Sequence, residues 1–156
     1  MPTLVSNIIE VSIFRVRQSF PEVLLLQRAS DDSLYPGVWQ NVTGSVRDEE
    51  SALDAAKREL GEETGLRPVR FWVVPHISTF YDSRQDAVVV VPLFAAEVAP
   101  EAVPSLSREH DRCEWLGLNE ARGRLVWPGQ RQGLEVVFRA IIGGEMASRL
   151  SEVPVL

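Results

Sequence analysis

The sequence predicts an α/β fold in which a mixed β-sheet lies between helices. Apolar and β-branched runs typical of strands recur along the chain, whereas one early and one late segment carry the apolar spacing of amphipathic helices. Strands interleaved with an early and a late helix favour a sheet that is covered on both faces. A chain of 156 residues has the length of one domain, so we expect a single domain over residues 1–156.

Composition argues against several classes of protein. The formal net charge of −6 disfavours nonspecific nucleic-acid binding, although metal ions can bridge an acidic site to a small phosphorylated substrate. No apolar stretch approaches the roughly 20 residues that span a bilayer. The first residues carry no basic signal-peptide segment, and the single Cys113 has no disulfide partner within the chain. We therefore expect a cytoplasmic protein with no membrane or nucleic-acid partner.

The first half of the chain contains three predicted strands before its helix. Ile8 to Val16 is rich in β-branched residues, and Val23 to Leu26 is a short apolar run that indicates a buried strand. The segment 31–37 combines Asp, Ser, Pro and Gly, which predicts a loop. Trp39 to Ser45 is interpreted as a short strand that leads towards the helix.

The early helix has a start signal, an apolar stripe and a stop signal. Ser51, followed three residues later by Asp54, forms a capping-box pattern. Gly65 is a natural C-terminal cap because glycine adopts the left-handed backbone conformation without strain. The stripe expected to face the sheet consists of small and aliphatic residues: Ala52, Leu53, Ala56 and Leu60.

The second half predicts two long strands, one short strand and a final helix. Phe71 to Phe80 and Ala87 to Val98 are the long strands, and the second is too apolar for an exposed edge. The Pro-containing segment 99–107 predicts a loop, and Cys113 to Leu118 predicts the short strand. Pro128 to about Ile142 is the final helix, with proline at its start and a glycine pair after its end.

Three glutamates at the end of the early helix conflict with helix stability. Glu59 lies three and four residues before Glu62 and Glu63, so it shares a helix face with both, and the like charges repel. All three also lie at the negative end of the helix dipole. A hard divalent cation removes the conflict because Mg²⁺ and Mn²⁺ prefer carboxylate oxygens. The cluster therefore predicts a metal site, with Mg²⁺ as the cofactor and Mn²⁺ as the alternative.

The glutamates belong to a longer pattern, Gly-x5-Glu-x7-Arg-Glu-Leu-x-Glu-Glu-x-Gly-Leu, which resembles the Nudix box. The resemblance implies an α/β/α sandwich and an enzyme that hydrolyses a nucleoside diphosphate linked to another group, with divalent metals present. Many boxes carry a glycine just before the first glutamate, whereas this chain has Glu49 there. All the fixed positions are filled: Gly44, Glu50, Arg58, Glu59, Leu60, Glu62, Glu63, Gly65 and Leu66.

The resemblance also implies which groups bind metal. The carboxylates of the three helix glutamates resemble the metal-binding carboxylates of the family. The backbone carbonyl of Gly44 is a further ligand in the resemblance, because a glycine lets metal and phosphate approach the main chain. The implied ligand set is therefore Gly44, Glu59, Glu62 and Glu63.

The sequence suggests supporting groups for catalysis but leaves the general base open between two residues. Arg58 and Glu50 are interpreted as supporting groups, because a guanidinium can hold a carboxylate in a fixed geometry. The metals would polarise the phosphate oxygens and activate a water, and a carboxylate would accept its proton. Two candidates for this base remain open: Glu59 in the box, and Glu109, which precedes an aromatic strand at Trp115.

Short segments outside the box resemble the dihydroneopterin triphosphate and nucleoside triphosphate pyrophosphohydrolases of this family. They are residues 25–28, residues 39–46 and the pair Glu109-His110. A pterin or purine needs a flat apolar wall and hydrogen bonds to its edge. The predicted substrate-binding residues are Arg28 for phosphate, Trp39 for the wall, Asn41 for the ring edge and His110 beside Glu109, with Phe80, Tyr81 and Trp127 as further wall candidates.

We therefore predict a Mg²⁺-dependent Nudix pyrophosphohydrolase that converts a nucleoside or dihydroneopterin triphosphate to the monophosphate and pyrophosphate by attack of water on phosphorus. One alternative is hydrolysis of another nucleoside diphosphate derivative, such as a nucleotide sugar or a dinucleoside polyphosphate. Another is a non-catalytic nucleotide-sensing module. The exact substrate, the metal count and the oligomeric state stay open, although an apolar edge strand would suit a homodimer.

Overall fold

A computed structural model describes all 156 residues and places a mixed β-sheet between helices, which confirms the predicted α/β class. None of its helices has the length and apolar character needed to cross a membrane. In chain order the elements are β1 (Thr3–Val5), β2 (Ile8–Arg17), β3 (Phe20–Arg28), β4 (Trp39–Gln40), β5 (Val42–Ser45), α1 (Ala52–Thr64), β6 (Arg70–Asp82), β7 (Ala87–Glu97), β8 (His110–Leu116), α2 (Leu118–Arg124), α3 (Pro128–Val136), α4 (Met146–Ser151) and β9 (Glu152–Val153).

The sheet has the order β4-β3-β2-β7-β6-β9, with β8 also paired to β3, β5 to β2 and β1 to β7. Two of its pairings, β1 with β7 and β2 with β7, are parallel, and the others are antiparallel. The register pairs Ile9 with Gly44, at the start of β2. The glycine of the box pattern is thereby fixed to a central strand of the sheet.

Alternating side chains of β2 build a core on each face of the sheet. Phe14 contributes to the core beneath α3, where Leu134 packs in the same cluster. The opposite core unites alternate residues of β2 with the apolar stripe of α1. Its members include Ile9, Val11, Ile13, Ala55, Ala56 and Leu60, all at most 1% exposed.

Both predicted caps of α1 are confirmed. The Ser51 side chain accepts a hydrogen bond from the backbone N–H of Asp54, and Gly65 adopts the left-handed conformation with φ of 65°. The Gly65 N–H donates to the carbonyl of Gly61. Because Leu60 is fully buried in the core, the rotation of the helix is fixed, and with it the direction of the neighbouring glutamates.

The structure corrects two predicted strands. The stretch Trp39 to Ser45 is divided at Asn41, because β4 pairs with β3 whereas β5 pairs with β2. The strand predicted from Cys113 to Leu118 instead spans His110–Leu116. Pairing of Arg28 with His110 across a register shift extends this strand towards the N-terminus, which sequence periodicity alone does not reveal.

The helices also differ from the prediction. Residues from Leu118 form the short α2, whose Ala121 is buried against the α3 side of the sheet. The final helix is α-helical only to Val136 and continues as a π-helical turn over Val137–Ile142, where the Gly143 N–H donates to the carbonyl of Phe138. Three further short elements, β1, α4 and β9, lacked a periodic sequence signal.

Candidate active site

A cavity of about 530 Å³ opens where α1 faces β5 and the residues that precede β8. This volume lies within the range of sites for small-molecule ligands. Asp32, Gln40 and Thr43 contribute to its wall, although the sequence pattern did not indicate them. The predicted site residues that line it are Arg28, Gly44, Glu59, Glu63, Glu109 and His110.

Gly44 brings the main chain of β5 directly against a carboxylate of α1. A Cβ atom at position 44 would overlap the side-chain carboxyl group of Glu59. A side chain at this position therefore requires Glu59 to move, and only glycine permits the observed approach. The contact places a backbone segment and a carboxylate side by side at the cavity wall, as the predicted ligand set requires.

Glu63 is a buried carboxyl group that accepts no hydrogen bond from a protein donor. Its side chain is 3% exposed, and neither oxygen is paired with an N–H or hydroxyl group. Burial, reinforced by the nearby charges of Glu109 and Glu59 and by contact with the Glu109 carboxyl group, raises the pKa of Glu63 to about 9. An unpaired buried acid is costly to the fold unless a cation compensates it. The chemistry of this donor set therefore fits a divalent metal ion.

Arg58 uses all five of its N–H donors to hold the acidic end of α1 in place. Its Nε and Nη2 grip the two oxygens of Glu50 at 2.8 and 2.9 Å. Its Nη1 donates to Glu59 at 2.7 Å and to Glu62 at 3.0 Å. The remaining donor reaches the carbonyl of Ser45 at 2.8 Å, which ties α1 to β5. Arg58 thus positions Glu59 and does not line the cavity itself.

The flanking acids Glu50 and Glu62 are satisfied by arginines. Hydrogen bonds from Arg58 and from the backbone N–H of Arg47 lower the pKa of Glu50 to about 2. Glu62 is 50% exposed and also accepts a hydrogen bond from the Arg47 side chain at 3.2 Å. The structure therefore does not bring Glu62 into the cavity with Glu59 and Glu63, although the box resemblance implied a shared ligand role.

Glu109 and His110 reach the cavity from the start of β8. One ligand atom each of Glu63, Glu109 and His110 lies within 4.8 Å of the other two. Glu109 is exposed and forms no ion pair with any arginine, lysine or histidine. His110 is 5% exposed, and burial lowers the pKa of its imidazole below the ordinary value. Glu109 thus lies at the edge of the acidic cluster without a cationic partner.

Arg28 supplies positive charge to the same cavity. Its Nη2 donates to Asp32 at 2.6 Å and its Nη1 to the side-chain oxygen of Gln40 at 3.3 Å. Each terminal nitrogen uses only one of its two N–H groups in these bonds, so the guanidinium keeps free donors for an anion. Asp32 lies in the loop after β3, and no sequence signal links it to Arg28, because a four-residue spacing brings side chains together only on a helix. Gln40 reaches the cavity only because β4 pairs with β3.

Two predicted substrate residues lie outside the cavity lining. Trp39 is half-buried and stacks with the guanidinium of Arg124, whose central carbon lies 4.7 Å from the ring centroid. Asn41 is 1% exposed, and its side-chain oxygen has no hydrogen-bond partner. Both residues lie in or next to the strands beside the cavity and do not line it.

The further aromatic candidates are also outside the lining. Phe80 and Tyr81 are exposed near the end of β6, and the phenol of Tyr81 donates to Asp86 at 2.8 Å. Trp127 is 45% exposed and packs edge-on against Tyr35, with 5.5 Å between ring centroids. Its partner belongs to the loop that contributes Asp32, so this pair lies on the surface beside that loop.

Residues 7–137 match the NUDIX domain family. An octanoyltransferase of Myxococcus xanthus is 38% identical over 125 residues, which are 78% of this chain and 34% of that protein. A dihydroneopterin triphosphate diphosphatase of Haemophilus influenzae is 31% identical over 112 residues, or 64% of this chain and 67% of that protein. The structure of a C. elegans Ap4A hydrolase binary complex superposes with a TM-score of 0.73 at 24% identity, covering 90% of this chain and 98% of that chain.

The mixed sheet, the capped acidic helix and the cavity between them define a Nudix-type domain, and the family match extends over most of the chain. This protein belongs to the Nudix family, which confirms the predicted resemblance and supports the prediction of a pyrophosphohydrolase. Relatives in this set are named for action on nucleoside or pterin phosphates. The chain spans about a third of the length of the Myxococcus relative.

Proposed function

We propose that this chain is a Mg²⁺-dependent pyrophosphohydrolase that converts a nucleoside or dihydroneopterin triphosphate to the monophosphate and pyrophosphate. The observation that carries the proposal is the buried Glu63, whose unpartnered oxygens lie in one cavity with Glu59, Gly44 and Glu109. The relative named a dihydroneopterin triphosphate diphosphatase supports the choice of substrate class.

Gly44, Glu59 and Glu63 are the residues that would hold the cation, through a main-chain carbonyl and two carboxylates. A bound Mg²⁺ supplies charge neutralisation for the phosphate oxygens and acidifies a bound water. Arg58 keeps Glu59 in place with a 2.7 Å charged hydrogen bond, so the carboxylate geometry is set before any ligand arrives. Glu62, held outward by Arg47 and Arg58, is assigned an outer supporting role.

Glu109 is our candidate for the general base. Glu59 is occupied by Arg58, whereas Glu109 has no ion-pair partner and lines the same cavity. In the proposed step the water oxygen forms a bond to phosphorus, the bridging P–O bond breaks, and pyrophosphate departs while Glu109 accepts the water proton. Arg28 faces the same space and would bind a phosphate oxygen through the unused N–H groups of its terminal nitrogens.

The direct test is a substrate panel in which phosphate and pyrophosphate are detected separately. The panel contains dihydroneopterin triphosphate, the ordinary and oxidised purine nucleoside triphosphates, nucleotide sugars and dinucleoside polyphosphates, each with Mg²⁺. We expect pyrophosphate from a triphosphate substrate, and about 10²- to 10⁴-fold lower kcat in Glu109→Gln, the loss typical of a missing general base. Absence of turnover across the panel would favour a nucleotide-sensing module instead.

Hydrolysis of a dinucleoside polyphosphate is the second candidate. The superposition with an Ap4A hydrolase concerns the fold, and a mouse relative named as an asymmetrical bis(5′-nucleosyl)-tetraphosphatase is 37% identical over 103 residues. The substrate panel separates the two candidates, because this second reaction yields two nucleotides and no free pyrophosphate.

A further inference from the structure

Three side chains outside the box, those of Arg28, Gln40 and His110, form a line of polar groups that ends at Glu63 of the box. The Gln40 oxygen accepts from Arg28 Nη1 at 3.3 Å, and Gln40 Nε2 lies 3.0 Å from His110 Nε2. On the other side of the ring, His110 Nδ1 faces Glu63 Oε2 at 3.9 Å. The side chains of His110 and Glu63 are 1% and 3% exposed, so water cannot freely replace these contacts.

Hydrogen-bonding chemistry fixes which atom of each pair in this line donates and which accepts. A guanidinium can only donate, so the oxygen of the Gln40 amide faces Arg28 and the NH₂ group faces His110. An NH₂ group requires an acceptor, so His110 Nε2 carries no proton and the proton of the neutral ring lies on Nδ1. Asp32 anchors the start of the line by holding Arg28 at 2.6 Å.

We propose that His110 is a positioning residue that presents an N–H donor to the Glu63 carboxyl group, and that it is not itself a metal ligand. Nδ1 has no hydrogen-bond partner and the Glu63 oxygens accept from no other protein donor, so an approach of about 1 Å would complete the contact. Hydrogen bonding to a ligating carboxylate orients it towards the metal. The orienting role rests on the proposed function, whereas the position of the proton follows from the hydrogen bonds alone.

The chain offers an internal reference for the test because it contains only two histidines. His76 Nε2 lies 3.1 Å from the carbonyl oxygen of Gly129, which can only accept, so this ring carries its proton on Nε2. The two histidines should therefore show opposite tautomers. In a long-range ¹H–¹⁵N spectrum of ¹⁵N-histidine-labelled protein at about pH 8, which is above the ordinary imidazole pKa of about 6.5, protonated and unprotonated ring nitrogens have well-separated shifts.

We expect the wild-type His110 signals to show an unprotonated Nε2 and a protonated Nδ1, and His76 to show the reverse. A protonated Nε2 in His110 would overturn the inference. The His76→Gln variant assigns the signals, because the remaining histidine pattern then belongs to His110. This measurement requires neither a substrate nor turnover, so an inactive protein with the expected tautomer would contradict the proposed function but leave this inference standing.

A substitution at Gln40 tests the cause of the tautomer. Gln40→Glu replaces the donor by an acceptor, so we expect His110 Nε2 to become protonated. Gln27→Glu is the matched control: it adds the same charge on β3, but its native side chain donates to the carbonyl of Gly37 and does not contact His110. An unchanged His110 pattern in Gln40→Glu would refute the inference that Gln40 determines the His110 tautomer. If that variant does not fold, the proton positions in the wild-type spectrum still test the inference.

Addition of Mg²⁺ separates positioning from ligation. Coordination through Nδ1 requires loss of its proton and would move that proton to Nε2, where it would face the NH₂ donor of Gln40 at 3.0 Å. We expect His110 Nδ1 to stay protonated at saturating Mg²⁺. A reversal of the His110 pattern with Mg²⁺, while His76 is unchanged, would show that His110 is a ligand and contradict the assignment.

Discussion

At the scale of single residues, the decisive feature is a carboxyl group that the fold buries without a partner. Glu59, Glu62 and Glu63 are equivalent in the sequence pattern, yet the structure gives them three environments. Glu59 is held by Arg58, Glu62 faces solvent between two arginines, and Glu63 is enclosed. Helix periodicity predicted the shared face of the three acids, but the rotation of α1 in the core decides which acid is enclosed.

The pH dependence of stability tests the burial of Glu63. In the metal-free protein its pKa is about 9, compared with an ordinary value of 4.5. Between these values the unfolded chain releases the proton while the folded protein retains it, so stability falls as pH rises through this window. Glu63→Gln cannot ionise and should remove that contribution. We would measure the free energy of unfolding against pH in the presence of a chelator.

The matched control for this experiment is Glu62→Gln, which also removes one acidic group from α1 but from a half-exposed position. We expect it to retain the wild-type decline between about pH 6 and pH 8, whereas Glu63→Gln flattens it. Equal slopes for wild type and Glu63→Gln would contradict the burial of this acid. Mg²⁺ should also reduce the decline of wild-type stability with rising pH, because it stabilises the ionised form of Glu63.

Glu49 stands where many Nudix boxes carry a glycine, and its backbone explains that preference. Its φ of 63° lies in the left-handed region, which costs a non-glycine residue about 1–2 kcal/mol. Glu49→Gly should therefore stabilise the protein by about 0.5–1 kcal/mol after the added chain entropy is subtracted. Urea denaturation measures the change. Asp48→Gly, one residue earlier and without positive φ, should not stabilise; equal effects of both variants would contradict this explanation.

At the scale of elements, the contact between β5 and α1 forms the acidic wall of the cavity. The sequence predicted α1 with both caps, because cap residues and an apolar stripe are local signals. It did not predict the division of β4 from β5 or the start of β8 at His110, because both depend on pairing with β3. Gln40 and His110 reach the cavity through that pairing, which explains why Gln40 was missed.

Two glycine substitutions separate helix stability from site geometry. Gly44→Ala should displace Glu59 and reduce kcat/KM about 10²-fold, a loss typical of misplacing a functional group by about 1 Å. Gly61→Ala, within α1, is the matched control, since an added Cβ meets nothing within 4 Å. It should raise stability by about 0.5–1 kcal/mol and leave turnover unchanged. Full activity in Gly44→Ala would refute the proposed role of the close approach.

At the scale of the whole molecule, the C-terminal segment closes the far edge of the sheet. Glu152 of β9 accepts two 2.8 Å hydrogen bonds from Arg70, and Val153 and Val155 pack against the core beneath α1. Lys57 of α1 donates to the carbonyl of Pro154 at 2.7 Å. These contacts protect an edge strand and lie away from the cavity lining.

Removal of residues 145–156 tests whether the C-terminal segment stabilises the core without contributing to the cavity. The truncated chain should unfold with a free energy lower by about 2 kcal/mol, from the apolar surface of the two valines, yet it should retain the cavity residues and measurable turnover. Glu152→Gln is the control and should cost less than about 1 kcal/mol, because its ion pair is solvent-exposed. Unchanged stability on truncation would show that the segment does not support the core.

The central claim is that Glu63, together with Glu59 and Gly44, holds a divalent cation in the cavity. Calorimetric titration of Mg²⁺ into wild type, Glu63→Gln and Glu62→Gln tests it most directly, because no substrate has to be known. We expect saturable binding by wild type, affinity weakened about tenfold or more by Glu63→Gln, and a much smaller change in Glu62→Gln. Equal Mg²⁺ affinity in wild type and Glu63→Gln would contradict the account.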